Sequence, residues 1–228
     1  MDKLRIAIDG PAGAGKSTVA RWVAARMGYV YLDTGAMYRA LAVTAVLRGI
    51  DLQDGEALGQ MARGLRIRVA EDAGVFRVWV DDRELTGTLR EPETDRAVKH
   101  LAMHRPVREV LVTIQQEIAS RGGIVMEGRD ITSVVLPDAE VKIFLTAKLR
   151  ERARRRWREL QRKGLRVSWE EVLDELARRD QKDHERDWGR LVQVAGAIVV
   201  DTSGMTMEEA CLEIAEICEA RMACGTGL

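Results

Sequence analysis

The stretch Gly10–Thr18, GPAGAGKST, constrains this chain more than any other part of it. It carries the spacing G-x-x-x-x-G-K-[ST], with Gly10, Gly15, Lys16 and Ser17 at the defining positions. Before it lies Leu4–Ile8 (LRIAI), short, apolar and β-prone; after it lies Val19–Met27 (VARWVAARM), rich in helix formers and ending at Gly28. Strand, glycine loop and helix in that order form the context in which this spacing wraps a phosphate. The first N–H groups of a helix have no intrahelical partner, and the helix dipole places positive potential there. Glycines let the backbone turn those N–H groups inward. On this reading Lys16, exposed in a cleft, brings positive charge to the β- and γ-phosphates of a nucleoside triphosphate, and the Ser17 hydroxyl is a ligand for Mg²⁺.

The rest of the chain supports a parallel sheet. Buried-looking strands recur at Tyr29–Asp33, Gly123–Met126, Val141–Thr146 and Ala197–Asp201, separated by helical stretches. Such alternation predicts an α/β fold with helices on both faces of about five parallel strands. Two stretches fall outside that plan. Leu65–Val69 and Val75–Val80 alternate apolar and polar residues around a turn at Glu71–Gly74, and Arg83–Leu89 offers a third short strand, so Leu65–Leu89 reads as a small antiparallel insertion. Leu149–Lys163 and Ser168–Asp187 read as a pair of helices, the second opened by a capping box of Ser168 and Glu171. Thr206 and Glu209 form a second capping box, opening a helix through Met222, and Ala223–Leu228 reads as a disordered tail.

Composition narrows the function classes. Lys and Arg together number 36, as do Asp and Glu, so the formal net charge is zero, which argues against a general nucleic-acid binder. No apolar run reaches membrane-spanning length and no signal peptide opens the chain, so a cytoplasmic protein without a membrane partner is expected. Cys211, Cys218 and Cys224 form no C-x-x-C pair and read as reduced structural thiols. His100 and His104, four residues apart, have no evident third ligand and read as a solvated helix face rather than a metal site.

Three further constellations bear on chemistry. Residues 150–163 hold eight basic residues against Glu151 and Glu159. Among them Arg152, Arg155 and Arg156 lie about one helical turn apart, so at least two can face one ligand. Guanidinium groups there suit the charge of a transferring phosphoryl group, and a mobile lid of this kind excludes competing water. Glu127–Asp130 (EGRD) follows the Ile124–Met126 strand; Glu127 is placed to hold a Mg²⁺-bound water, and Arg129 and Asp130 are placed to line the cleft. Arg178–Arg186 (RRDQKDHER) is dense in charge, and the residues alone do not raise Arg179, Asp183 or Arg186 above their neighbours.

Together the motifs IDGPAGAGKST, LDTGAMYR, PVRE, EGRDITSVVLPDAEVKIFLTA, RERARRR with QRKG, and RRDQKD followed by DTSG resemble the bacterial cytidylate kinases, from Ile6 to about Ile217. The resemblance implies a P-loop kinase fold in a single domain, 1–228. Within it would lie a β-containing NMP-binding insertion at 36–108 and an arginine-rich helical lid with its following helix at 148–188. It implies transfer of the ATP γ-phosphoryl group to CMP or dCMP with Mg²⁺, by a monomer acting on small nucleotides. ATP would be held by Gly10, Pro11, Ala12, Gly13, Ala14, Gly15, Lys16, Ser17, Thr18 and Arg155, with the adenine near Asp201–Gly204. The acceptor phosphate would fall to Arg39, Arg129 and Arg186, the sugar hydroxyls to Asp183 with Arg179, and the base to Arg108 and Asp130. Thr34 and Tyr38 would line the acceptor pocket. Lys16, Arg129, Arg152, Arg156 and Arg186 would carry the catalysis.

An ionised Asp accepts from the cytosine amine and an Arg donates to its acceptors, whereas uracil reverses two of these groups. The chain departs from the family pattern at two positions. Lys99 stands where a base-contacting Ser is common, and Thr132 where Gly is usual; Thr would be strained if that position required positive φ. The competing readings are a P-loop kinase for UMP, AMP or a non-nucleotide acceptor, and an RNA-binding P-loop protein using Arg150–Lys163. Zero net charge and few aromatic residues weigh against the second.

Overall fold

A computed structural model describes residues 3–72, 75–89 and 91–224. Part of the expected turn at Glu71–Gly74 and residues 225–228 of the expected tail lie outside the described residues. The chain divides into two compact units, Met1–Tyr29 with Gly123–Leu228, and Val30–Gly122.

The first unit is built on parallel strands. They are β1 (Arg5–Asp9), β6 (Ile124–Gly128), β7 (Val141–Thr146) and β8 (Ile198–Asp201), in the order β6-β1-β7-β8. Arg5 pairs with Ile124 and Asp9 with Gly128; Ile6 pairs with Val141 and Asp9 with Phe144. Consecutive residues of β1 and of β6 are buried without alternation, as strands covered on both faces require. Ile6, Ile8, Val125, Met126 and Ile143 lie in this core, and each fully buried aliphatic side chain contributes about 1.5–3 kcal/mol. Strand β2 (Val30–Asp33) opens the second unit.

Helices of the first unit follow their sequence signals. Helix α1 (Lys16–Met27) begins after Gly15 and ends at Gly28, whose φ of 64° lets its N–H reach back to Ala25 at 3.3 Å. It packs on β6 and on α8 (Met207–Cys224). Helices α6 (Leu149–Arg162) and α7 (Trp169–Glu185) pack on each other through Ala153, Val172 and Leu176, with Trp157, Leu160 and Trp169 around them. The Ser168–Glu171 capping box is present, and the Thr206–Glu209 pair makes the same reciprocal bonds. Helix α8 continues through Cys224, two residues beyond the expected end, so Ala223 and Cys224 are helical rather than part of a disordered tail. Cys211 and Cys218 are buried free thiols on this helix, and burial pushes the Cys218 thiol up to about 12.

The second unit contains α2 (Thr34–Leu47), α3 (Gly55–Arg63), α4 (Pro92–Leu101) and α5 (Arg105–Ala119), with an antiparallel sheet of β3 (Ile67–Asp72), β4 (Val75–Val80) and β5 (Arg83–Glu84). The third strand is shorter than Arg83–Leu89 because Thr86–Thr88 turn into a 3₁₀ segment, with the Thr86 hydroxyl accepting from the Val78 N–H at 3.1 Å. His100 and His104 do not share a helix face. The first lies in the last turn of α4, while the second precedes α5 and places Nε2 2.8 Å from the Leu52 carbonyl.

Candidate active site

The loop between β1 and α1 has the shape that its spacing predicts. Gly10 (φ 151°) passes so close to β7 that a Cβ there would fall 1.9 Å from the Leu145 carbonyl oxygen. Backbone meeting backbone leaves no side chain to yield, so only glycine fits. Gly15 adopts φ 101° at the head of α1 and has no side chain to occupy the first amides of the helix. Ser17 is half-buried and Thr18 exposed on the first turn.

Lys16 differs from expectation. It is 5% exposed, and its Nζ donates to the Gly10 carbonyl at 2.8 Å and the Pro11 carbonyl at 2.9 Å. A buried ammonium without acceptors is disfavoured, so its chain turns back onto the nearest carbonyls of its own loop. Burial, together with the Arg129 charge, lowers its pKa to about 7, with Glu127 opposing the shift.

Next to the loop stands a group that the sequence reading missed. Asp9, the last residue of β1, is wholly buried. Its Oδ1 accepts from the Ile131 N–H at 2.9 Å, and its Oδ2 from the Thr132 N–H at 2.7 Å and the Thr132 hydroxyl at 2.6 Å. Burial pushes its carboxyl up, against the hydrogen bonds from Thr132 and Ile131, which favour the ionised form. Residues Ile131–Val135 form a single π-helical turn, and Asp9 satisfies its first two amides. Thr132 is not strained: Asp81 is the positive-φ residue other than glycine among those described. A charged residue directly before the glycine loop, after the apolar run Ile6–Ile8, was the signal available in the sequence.

Strand β6 runs two residues further than expected, so buried Glu127 lies on the strand beside Ile8. Arg129 and Asp130 then occupy the turn, where Asp130 is buried. Arg129 reaches across to α7. Its Nε donates to Asp183 Oδ2 at 2.7 Å, and the other oxygen of that carboxylate lies 2.8 Å from Arg186 Nη2. Asp183 is buried on α7, yet Arg129 and Arg186 hold its carboxyl below the usual range despite its burial. Half-buried Arg179, one turn earlier, adds positive charge to the same cluster. Thus Lys16, Arg129, Arg179, Asp183 and Arg186 form one electrostatic group, assembled from three elements distant in sequence.

Arg152, Arg155 and Arg156 on α6 engage different partners. Arg152 is buried and donates to the carbonyls of Ala147 (2.8 Å) and Ala12 (3.0 Å) and to both oxygens of Asp180. Arg155 donates to the Thr202 carbonyl at 2.6 Å and hydroxyl at 3.0 Å. Arg156 is half-buried and reaches Glu159 at 2.9 Å, one turn along its own helix.

In the second unit, Asp33 caps α2 by accepting from the Ala36 N–H at 2.9 Å. Thr34 and Tyr38 are buried on that helix. The Arg108 guanidinium lies 5.3 Å from the centre of the Tyr38 ring, and its Nη1 donates to the Ala102 carbonyl at 3.1 Å. Arg39 is paired with Asp95 at 3.4 Å. A Cβ at Gly35 would sit 3.0 Å from Arg39 Nη1, so the glycine of LDTGAMYR makes room for that guanidinium. Lys99 is exposed in the last turn of α4.

The family model for cytidylate kinase matches residues 6–220. The chain belongs to the cytidylate kinase family. Among curated relatives, the cytidylate kinase of Bacillus pumilus is 46% identical over 207 residues, 91% of this chain and 92% of that one. That of Exiguobacterium sibiricum is 44% identical over 97% of this chain and 100% of its own. That of Pelotomaculum thermopropionicum is 49% identical over 90% and 91%. Among solved structures, shikimate kinase from Acinetobacter baumannii in complex with shikimate aligns with a TM-score of 0.47 at 18% identity, covering 96% of this chain and 94% of that one. The fold is that of an α/β P-loop kinase, as membership of the family and the Gly10–Ser17 loop between strand and helix both require. Among the described residues no helix is long and apolar enough to cross a membrane.

Proposed function

We propose that this protein transfers the γ-phosphoryl group of ATP to CMP or dCMP, giving ADP and CDP or dCDP. The observation that carries the reading is the match to the cytidylate kinase family over residues 6–220, supported by a glycine loop between β1 and α1 in which Gly10 admits no side chain. The acceptor's phosphate oxygen attacks the γ-phosphorus while the bond to the ADP oxygen breaks. That oxygen is already anionic, so no strong general base is required, and positioning and charge stabilisation supply the rate.

On this reading Gly10, Pro11, Ala12, Gly13, Ala14 and Gly15 wrap the phosphates with their backbone, and Ser17 and Thr18 complete the site at the head of α1. Lys16 exchanges its two loop carbonyls for β/γ-phosphate oxygens. Arg129 and Arg186 hold the acceptor phosphate, with Arg39 assigned to it from the second unit. Asp183 and Arg179 take the sugar hydroxyls. Asp130 and Arg108 read the base, and Thr34 and Tyr38 line its pocket. Arg156 serves as the mobile lid arginine, because a half-buried pair within one helix costs little to break. Arg155 sits where the adenine is expected, at Thr202, and Arg152 supports the loop through Ala12.

The donor chemistry suits Mg²⁺, which takes hard oxygen ligands and retains waters and substrate phosphates. The Ser17 hydroxyl would hold the ion directly, and Glu127, whose charge acts on Lys16, would do so through a water. Bound there, Mg²⁺ would neutralise charge on the β- and γ-phosphates. A phosphoryl-transfer assay with CMP, dCMP, UMP and AMP tests the proposal. CMP and dCMP are expected to turn over far faster than UMP or AMP. Equal rates on all four, or none on CMP, would reject it.

A further inference from the structure

Asp9 controls both flanks of the dipeptide Arg129-Asp130. Its backbone pairs with Gly128, the residue before the dipeptide, in the β1–β6 register. Its side chain holds the amides of Ile131 and Thr132, the two residues after it, at 2.9 and 2.7 Å. The next residue along the chain from Asp9 is Gly10, where the phosphate loop starts. One residue therefore ties both flanks of the Arg129-Asp130 turn to the start of the loop.

Thr132 completes the grip. An ionised carboxylate buried without water must fill its lone pairs from protein donors. Two backbone amides and the Thr132 hydroxyl at 2.6 Å supply three charge-assisted bonds. The hydroxyl is the one donor of the three that a substitution can remove while the backbone is kept. Thr132 is itself 2% exposed, so a methyl in its place would leave Asp9 Oδ2 one donor short.

We infer that Asp9 and Thr132 are positioning residues for acceptor recognition, holding the Arg129-Asp130 turn at the distance from the phosphate loop that in-line transfer requires. This rests on the function proposed above, in which Arg129 and Asp130 contact the acceptor nucleotide while the loop binds ATP. A relaxed turn then weakens the grip on CMP and leaves the ATP cradle in place. A merely structural bond would lower stability with no preference between the two substrates.

The test compares wild-type protein with Thr132→Val, which is nearly isosteric and lacks the hydroxyl, and Thr132→Ser, which keeps it. Wild-type turnover of CMP is measured first; its absence rejects the proposed function rather than this inference alone. With turnover established, Thr132→Val is expected to raise KM for CMP about tenfold, the equivalent of one lost bond to a charged group, while KM for ATP stays within about twofold. Thr132→Ser restores the wild-type KM for CMP. Asp9→Asn, read the same way, shifts KM for CMP at least as far, since an amide presents Nδ2 to one of the donors. The inference is overturned if Thr132→Val changes only the thermal midpoint, if both KM values rise together, or if Thr132→Ser fails to restore CMP binding.

Discussion

Arg129 on the β6 turn and Asp183 on α7 are joined by a 2.7 Å hydrogen bond between groups separated by 54 positions in the chain. Arg186 takes the second oxygen of the same carboxylate, so one buried anion sets the direction of two cations assigned to the acceptor phosphate. The pair is a means of aiming positive charge as well as a source of stability.

That arrangement fixes an acid response. Burial opposes ionisation of Asp183, but Arg129 and Arg186 together hold its folded-state pKa below the ordinary 3.8. A carboxyl depressed on folding contributes stability that is fully present above its unfolded value and is lost as pH falls through the folded one. Asp183→Asn is therefore expected to flatten the loss of stability below about pH 4, the ordinary carboxylate range, and to reduce kcat/KM for CMP by about 10²-fold, in line with removing a positioning group. Chemical denaturation across the acid range and steady-state kinetics check both. An unchanged acid arm would show that Asp183 is not the group responsible.

Lys16 gives the same sign in a different, alkaline window. Its pKa falls from 10.5 to about 7 on folding. Between those values the unfolded chain keeps the proton and the folded chain has released it, so stability rises with pH, by at most about 1.4 kcal/mol per pH unit for one proton. A bound triphosphate favours the charged ammonium, so ATP binding at about pH 8.5 should take up as much as one proton. Titration calorimetry in two buffers of different ionisation heat measures it. Lys16→Met should abolish that uptake and lower kcat about 10²–10³-fold without lowering stability near neutral pH. Binding heats independent of buffer would refute the linkage.

Arg152 and Asp180 make a bidentate pair whose guanidinium also donates to Ala12 in the phosphate loop. Asp180→Ala removes the counter-charge of a buried arginine, and breaking such a pair costs about 3 kcal/mol. With the anchor loosened, KM for ATP is expected to rise about tenfold, while Arg156→Ala should lower kcat and leave stability within about 0.5 kcal/mol, as surface substitutions do. A combined thermal-melt and kinetic series separates the two. If Asp180→Ala melted like wild type, the Arg152 anchor would carry no weight.

The glycine loop, its flanking strand and helix, the capping boxes at Ser168 and Thr206, and the alternation of β3 and β4 were all legible in the chain, because each depends on residues within a few positions of one another. Short-range geometry sets them: a left-handed φ at Gly15 or a Ser side chain on the third amide of its own helix needs no distant partner. Helix α3 and the π-helical turn at Ile131–Val135 escaped, the first for want of a strong start signal beyond Asp54, the second because its amides are held by Asp9, 122 and 123 residues away.

From sequence alone, then, this protein's family, its parallel α/β plan and the place of its phosphate loop were determined, since local spacing and motif order encode them. Only the tertiary structure decided the partners of the charges. It buried Lys16 against its own loop, turned Arg129 to Asp183, spent Arg152 on Asp180 and Ala12, and closed Asp9 over Thr132. A charge removed from water settles on whichever opposite charge or donor the fold brings within about 3 Å, and that distance is set by packing, not by neighbours along the chain.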